Sequence, residues 1–117
     1  MKMVVAIIRP EKLDAVQAAL HQSDVYLMTV SDVRGCGRQR GYTEIYRGAE
    51  FQVRLLPKLK LEIAVNDAFV EATIEAVVHA ARTPETGQIG DGKICVLPLE
   101  DAVRIRTGER GGQAIGP

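Results

Sequence analysis

The sequence has few of the residues that mark several large classes of protein. It has no tryptophan, and only 4% of its 117 residues are aromatic. Its fifteen basic and fifteen acidic residues cancel, so no overall field drives the chain onto nucleic acid or an anionic membrane. No apolar run approaches the length of a membrane span, and the run at residues 3–8 is too short for a signal peptide. We therefore expect a cytoplasmic protein.

Cysteine is also scarce. Cys36 and Cys95 form neither a Cys-x-x-Cys pair nor a plausible metal-binding spacing, which fits a reducing compartment. Cys95 lies in an apolar run and is predicted to belong to the core, whereas Cys36 is predicted to be a small loop residue.

Groups that could carry out catalysis are sparse. His21 and His79 both fall in predicted helices, and no serine or cysteine has a recognisable activating partner. The sequence therefore favours a protein that is not an enzyme.

The residues that are present predict one compact domain over 1–117. Residues 3–8 are apolar at successive positions and predict a buried strand. Leu13, Val16 and Leu20 then recur at helical spacing, and residues 25–33 predict a second strand.

The second half of the chain repeats this order. Strict alternation from residue 58 to 65 predicts a strand, and Asn66 or Asp67 is predicted to cap the helix that follows. Residues 94–99 predict a last strand that lies at an edge or ends at Pro98. The order βαββαβ predicts an α+β, ferredoxin-like fold, with two helices on one face of an antiparallel sheet.

A long polar segment separates the two halves. Residues 37–53 are rich in Gly, Arg and Glu and offer no obvious core residues. Loops of this length are uncommon in compact domains unless they are functional or disordered, so we expect an exposed loop that contacts a partner.

Three segments carry groups suited to polyphosphate. Residues 34–41 combine glycines, whose amides can approach an anion, with arginines that donate charge-assisted hydrogen bonds. Residues 86–93 contain Gly87 and Gly92-Lys93 at P-loop spacing, but Ile94 and a strand follow where a P-loop needs Ser or Thr and a helix. The second segment is therefore predicted to be an anion-binding turn, over about 82–93, and not a Walker motif.

The third segment contains Arg104 and Arg106, which the period of two places on one face of an extended stretch. Each segment also has a plain structural interpretation: a solvated basic loop, a flexible connection and two surface arginines. The sequence alone does not show that the three segments meet.

Taken in order, these segments resemble the PII family of nitrogen and carbon signal-transduction proteins, of the GlnB and GlnK type. The resemblance runs from residue 1 to about 109. It is carried by VRGCGRQRG (33–41), TEIYRGAE (43–50), LPKLKLE (56–62), IGDGKI (89–94) and VRIRTGE (103–109).

The resemblance implies a homotrimer that binds ATP or ADP between subunits, with 2-oxoglutarate and Mg²⁺ joining ATP at the base of the long loop. It implies that Gln39 helps to hold Mg²⁺ and 2-oxoglutarate, and that Lys58 pairs with a carboxylate of 2-oxoglutarate. It places Glu62 near the adenine. The other residues implied at the nucleotide are Gly35, Gly37, Arg38, Gly90, Gly92, Lys93, Arg104 and Arg106.

The tip of the loop is implied to bind the regulated protein. Arg47, with Tyr46 and Phe51 as exposed aromatic contacts, favours an ammonium transporter; a nitrogen-assimilation enzyme or a transcriptional regulator is the alternative. Membrane contact is then expected only through a partner. Phe51 and Ala49 stand where relatives carry modified hydroxyl residues, so no modification is expected at either position.

The sequence departs from the family pattern in three further places. Arg40 replaces a lysine, residues 82–87 are about three residues longer than usual, and the C-terminal segment, about 101–117, lacks an acidic run. The longer segment leaves the placement of the second anion-binding turn open.

Two other functions share this order of elements. An RNA-recognition module needs aromatic residues on its central strands, and residues 60–65 contain none. A phosphotransfer enzyme would need a histidine or lysine with an assigned partner. We rank both below a regulatory protein.

Overall fold

A four-stranded antiparallel sheet forms the body of the protein in the computed structural model, which describes residues 1–36 and 54–116. The strand order is β2-β3-β1-β4. The strands are β1 (Lys2–Ile8), β2 (Thr29–Gly35), β3 (Leu56–Val65) and β4 (Gly92–Pro98). All three strand pairs are antiparallel, which confirms the predicted α+β arrangement.

Two main helices connect the strands. Helix α1 (Leu13–Gln22) follows a 3-10 turn that begins at Pro10, where a missing amide hydrogen costs nothing. Helix α2 (Val70–Ala81) follows a similar turn and packs against α1 and β1. A short helix, α3 (Gly112–Ile115), lies near the C-terminus. None of the helices in the described ranges is long and apolar enough to cross a bilayer.

The core lies between the helices and one face of the sheet. Alternate residues of β3 point into it, as the period of two predicts, and Val16 and Val77 meet them from the helices. Thr73 is also fully buried, and its hydroxyl donates to the carbonyl of Phe69 at 2.7 Å. The buried apolar strand residues are Val4, Ala6, Ile8, Leu59, Leu61, Ile63 and Val65.

The opposite face of the sheet, which we call the open face, has no covering layer in the described chain. Met3, Val5 and Ile7 of β1 are partly exposed there. Residues directly opposite in an antiparallel pair share a face, so the register places Cys95 and Leu97 of β4 beside Val5 and Met3. Cys95 is therefore exposed, and its predicted place in the core is wrong.

Two local predictions also need correction. The second strand begins at Thr29, four residues later than predicted, although Val25 is buried in the turn before it. Neither Asn66 nor Asp67 caps a helix through its side chain. The Asn66 amide donates to carbonyls of the C-terminal segment, and the Asp67 carboxylate pairs with Lys2 and the N-terminus.

Candidate functional site

A cavity of about 480 Å³ opens at one end of the sheet, within the size range of small-molecule sites. It lies where β2 ends and β3 and β4 begin. Cationic side chains and glycines contribute to its wall together with apolar residues. The lining residues are Ile7, Val33, Arg34, Gly35, Cys36, Leu56, Lys58, Gly92 and Lys93.

Four residues predicted from the sequence thus meet in this cavity: Gly35, Lys58, Gly92 and Lys93. They come from three different strands, a convergence that the sequence alone does not show. Arg34 also lines the cavity, but the register pairs it with Pro57, so its side chain leaves the sheet on the opposite face from Lys58. Two lysines beside two glycines are groups suited to an anion with several oxygen atoms.

Gly92 allows two strands to approach closely at the cavity wall. Its φ is +117°, and an added Cβ would lie 1.8 Å from the carbonyl oxygen of Ile7. No side chain fits there without moving β1 or β4. Lys93, next in the chain, is the second residue of β4, and no helix follows it, which confirms that the segment is not a P-loop.

The loop before β4 is organised by one carboxylate. Asp91 accepts hydrogen bonds from the amide and hydroxyl of Thr83, from the amide of Gln88 and from Nε of Arg9. Burial is the largest influence on the pKa of Asp91 and raises it, but these hydrogen bonds outweigh burial and hold the pKa well below its usual value. The carboxylate is therefore charged and closes the loop on itself.

Lys58 joins this loop to the cavity. Its Nζ donates to the carbonyl of Gly90 at 2.7 Å, while its side chain lines the cavity beside Gly35. Burial, and secondarily the charge of Arg9, lower the pKa of Lys58. Gly90 was predicted to contact the nucleotide, and here its carbonyl is the partner of Lys58.

Glu62 lies in a different cavity, of about 430 Å³, on the same open face. The cavity is mainly apolar, and Glu62 is the one carboxylate among the residues that line it. The other lining residues are Met3, Leu27, Met28, Thr29, Ala64, Ala114 and Ile115.

The predicted arginine pair is not arranged as expected. A bridge between Val103 and Arg110 closes a turn, so the stretch is not extended. Arg104 pairs with Glu109 at 2.8 Å and donates to the carbonyl of Gln113 at 3.0 Å, while Arg106 lies exposed in the turn. Neither arginine is among the residues that line the cation-lined cavity or the cavity that contains Glu62.

Several predicted site residues lie outside the described residues. They are Gly37, Arg38, Gln39, Tyr46, Arg47, Ala49 and Phe51, so their assigned roles stay predictions. Within 1–36 and 54–116, no group of three or more His, Cys, Asp or Glu side chains could hold a metal ion. The predicted Mg²⁺ ligand, Gln39, falls in the part that is not described.

Sequence reasoning missed the contacts that organise the loop. Arg9, Thr83 and Asp91 carry no local pattern that would join them, since Arg9 and Asp91 are 82 positions apart. The one feature of the sequence that pointed to these contacts was the polar residue Asp91 between Gly90 and Gly92. The fold and the cation-lined cavity define a small α+β domain with a cleft suited to an anion.

Comparison with known proteins gives the family. The model of the family "Nitrogen regulatory protein P-II" matches residues 1–109. A nitrogen regulatory protein P-II of Rhodospirillum rubrum is 56% identical, over 98% of this chain and all of the relative. The nitrogen regulatory protein GlnK1 of Methanosarcina mazei is 55% identical, over 98% of this chain and 97% of the relative. The chain belongs to the P-II family of nitrogen regulatory proteins, and it is a signalling regulator.

Proposed function

We propose that this regulator senses ATP or ADP together with 2-oxoglutarate, with Mg²⁺, and controls a target protein through residues 37–53. The observation that carries the proposal is the cavity in which Lys58 and Lys93 lie beside Gly35 and Gly92. Cations and a close approach of the backbone favour the binding of a polyphosphate, and this cavity supplies both.

The adenine base of the nucleotide is proposed to lie on the open face of the sheet. Glu62 and Lys58 lie four residues apart on the same face of β3, about 13 Å along the strand. A nucleotide whose phosphates lie at Lys93 can direct its base toward Glu62. A carboxylate in an apolar cavity accepts a hydrogen bond from an exocyclic amino group, which favours adenine over a base that presents a carbonyl there.

Binding is tested by calorimetry with Mg-ATP, Mg-ADP and 2-oxoglutarate. We expect both nucleotides to bind, and 2-oxoglutarate to bind only when Mg-ATP is present. Lys93→Met should weaken nucleotide binding about tenfold or more, because it removes a charged phosphate contact. Lys12→Met, outside both cavities, is the control. Absence of nucleotide binding by the unmodified protein would contradict the proposal.

We also propose a homotrimer in which each site takes residues from two subunits. The partly exposed apolar residues of the open face support burial between copies, as does Ile105, which is 99% exposed. Arg104 and Arg106, which line neither cavity in one chain, would then reach the site of a neighbouring copy.

Subunit mixing tests this shared site. Lys93→Met and Arg106→Met trimers should each bind nucleotide poorly. If the site lies between subunits, random mixing of the two variants should restore nucleotide binding in about a quarter of the sites. About three quarters of the trimers then contain both variants, and in each of these one of the three junctions joins an unmodified Lys93 to an unmodified Arg106. No recovery after mixing, with trimers confirmed by light scattering, would place both residues in the same subunit's site.

The partner proposed for the loop is an ammonium transporter, contacted through Arg47 with Tyr46 and Phe51. Without a hydroxyl at Phe51 or Ala49, the signal would depend on ligand occupancy without covalent modification at those two positions. Retention of the protein on transporter-containing membranes should fall when Mg-ATP and 2-oxoglutarate are added together, and Arg47→Ala should abolish it. If the protein is instead captured by a nitrogen-assimilation enzyme or a transcriptional regulator, the choice of target is wrong.

A further inference from the structure

Two cations hold three consecutive residues of the loop before β4. Arg9 donates to the carbonyl of Ile89 at 3.1 Å and to the carboxylate of Asp91 at 3.0 Å. Lys58 donates to the carbonyl of Gly90, between them, at 2.7 Å. The loop is therefore tethered to β1 by an arginine and to β3 by a lysine.

The two tethers differ in what else they contact. Among the described residues, Arg9 lines neither the cation-lined cavity nor the Glu62 cavity. Lys58 lines the cation-lined cavity with Gly35 and Lys93, and its Cγ would be 3.6 Å from a Cβ added at Gly35. Lys58 is thus the tether that a ligand in the cavity can reach.

An ammonium group has three hydrogen-bond donors. One donor of Lys58 is used by the carbonyl of Gly90, which leaves two for the oxygens of a carboxylate in the cavity. Because the Lys58 side chain is long and rotatable, its ammonium is placed accurately only while the carbonyl of Gly90 holds it. The position of the loop therefore determines the position of the charge that faces the cavity.

We propose that the hydrogen bond from Lys58 to Gly90 links the nucleotide and effector subsites, so that Lys58 is a positioning residue for the loop as well as an effector contact. The proposal rests on the proposed function. A nucleotide that holds the loop fixes the Lys58 ammonium for the effector carboxylate, and an effector bound to Lys58 holds the loop for the nucleotide in return. Such coupling is reciprocal by thermodynamic necessity.

The test removes the donor and examines the loop before any effector is added. Lys58→Met keeps the length of the side chain and loses the ammonium. We expect hydrogen exchange of the amides at 87–92 to rise about tenfold without ligand, and Mg-ATP affinity without 2-oxoglutarate to fall about tenfold. Lys58→Arg, which can still donate to Gly90, should restore most of the exchange protection.

Lys60→Met is the matched control, because Lys60 lies two residues along β3 on the same face and does not line the cavity. It should stay within about twofold of the unmodified protein in both measurements. Unchanged loop exchange in Lys58→Met would overturn the tether. Faster exchange with unchanged Mg-ATP affinity would overturn the coupling. If the unmodified protein binds no nucleotide, the proposed function fails, and the exchange measurement alone decides the tether.

Discussion

Arg9 and Asp91 form an ion pair of 3.0 Å that ties the end of β1 to the residue just before β4. Both side chains are mostly shielded from solvent, with exposed fractions of 23% and 18%. Shielding strengthens the attraction between the two charges but makes either charge costly when left alone. The pair therefore fixes the loop in one place and makes that place dependent on the charge of Asp91.

Asp91→Asn should lower the free energy of unfolding by about 1–2 kcal/mol near neutral pH, because the uncharged amide weakens four hydrogen bonds. The folded-state pKa of Asp91 lies below its ordinary value of 3.8. Its stabilising contribution is therefore complete above pH 3.8 and is lost as the pH falls below that value. The difference in the free energy of unfolding between the unmodified protein and Asp91→Asn, measured by urea titration, should therefore become smaller as the pH is lowered from about 7 to about 2.

The control is Asp32→Asn, on an exposed residue of β2, which should change stability by less than about 0.5 kcal/mol at either pH. An Asp91→Asn difference that is the same in acid and at neutral pH would show that the carboxylate charge does not hold the loop.

Gly92→Ala should destabilise the protein by about 3 kcal/mol or more, because the new Cβ would overlap the backbone of Ile7. Gly108→Ala is a matched control: Gly108 also has a positive φ, of +75°, but no atom lies within 4 Å of an added Cβ. It should cost only about 1–2 kcal/mol, from the left-handed backbone alone. Urea unfolding measures both, and equal losses would contradict a steric role for Gly92.

The sheet and its core could be predicted from local patterns because a strand repeats every two residues. Leu59, Leu61, Ile63 and Val65 alternate strictly, and all four are buried as expected. The buried face of such a strand can be recognised without knowing which strand pairs with it. The residues of the cation-lined cavity were partly predictable for a different reason, since glycine beside lysine or arginine is a combination suited to anions, although each segment also had a plain structural interpretation.

The contacts between distant segments could not be predicted. Asn66 has the side chain of a helix cap, but its Nδ2 donates to the carbonyls of Gly112 and Gly116, and its Oδ1, the atom that would accept from the first turn, makes no capping bond. Arg104 and Arg106 alternate as in a strand, yet the chain turns at residues 105–107, so their period of two does not describe a face. Local periodicity is informative only where the backbone is already regular.

Two adjacent valines on α2 allow the contribution of core packing to stability to be distinguished from that of helix propensity. Val77 is 1% exposed and Val78 is 37% exposed. Val77→Ala should cost about 2 kcal/mol, because it leaves a cavity between α2 and the sheet. Val78→Ala should change stability by about 0.5 kcal/mol or less, because the lost contact is offset by the higher helix propensity of alanine. Thermal and urea unfolding measure both, and similar costs would mean that Val77 does not face the core.

The last prediction concerns the C-terminal segment, which Asn66 holds from the end of β3. Its amide donates to the carbonyl of Gly112 at 3.2 Å and to that of Gly116. An added Cβ at Gly112 would lie 2.7 Å from Oδ1 of Asn66, so the two residues are in close contact. Ala114 and Ile115, held between these bonds, form part of the wall of the Glu62 cavity.

Asn66→Ala should therefore raise hydrogen exchange of residues 112–116 about tenfold while the unfolding of the sheet changes little. Asp67→Asn is the matched neighbour: Asp67 binds Lys2 and the N-terminus, so its variant should leave the C-terminal segment protected. If the proposed base subsite is correct, Mg-ATP affinity should also fall, because Ala114 and Ile115 are then no longer held in the wall of the Glu62 cavity. Exchange of 112–116 that is unaffected in Asn66→Ala would show that other contacts, such as Arg104 to the carbonyl of Gln113, hold the segment by themselves.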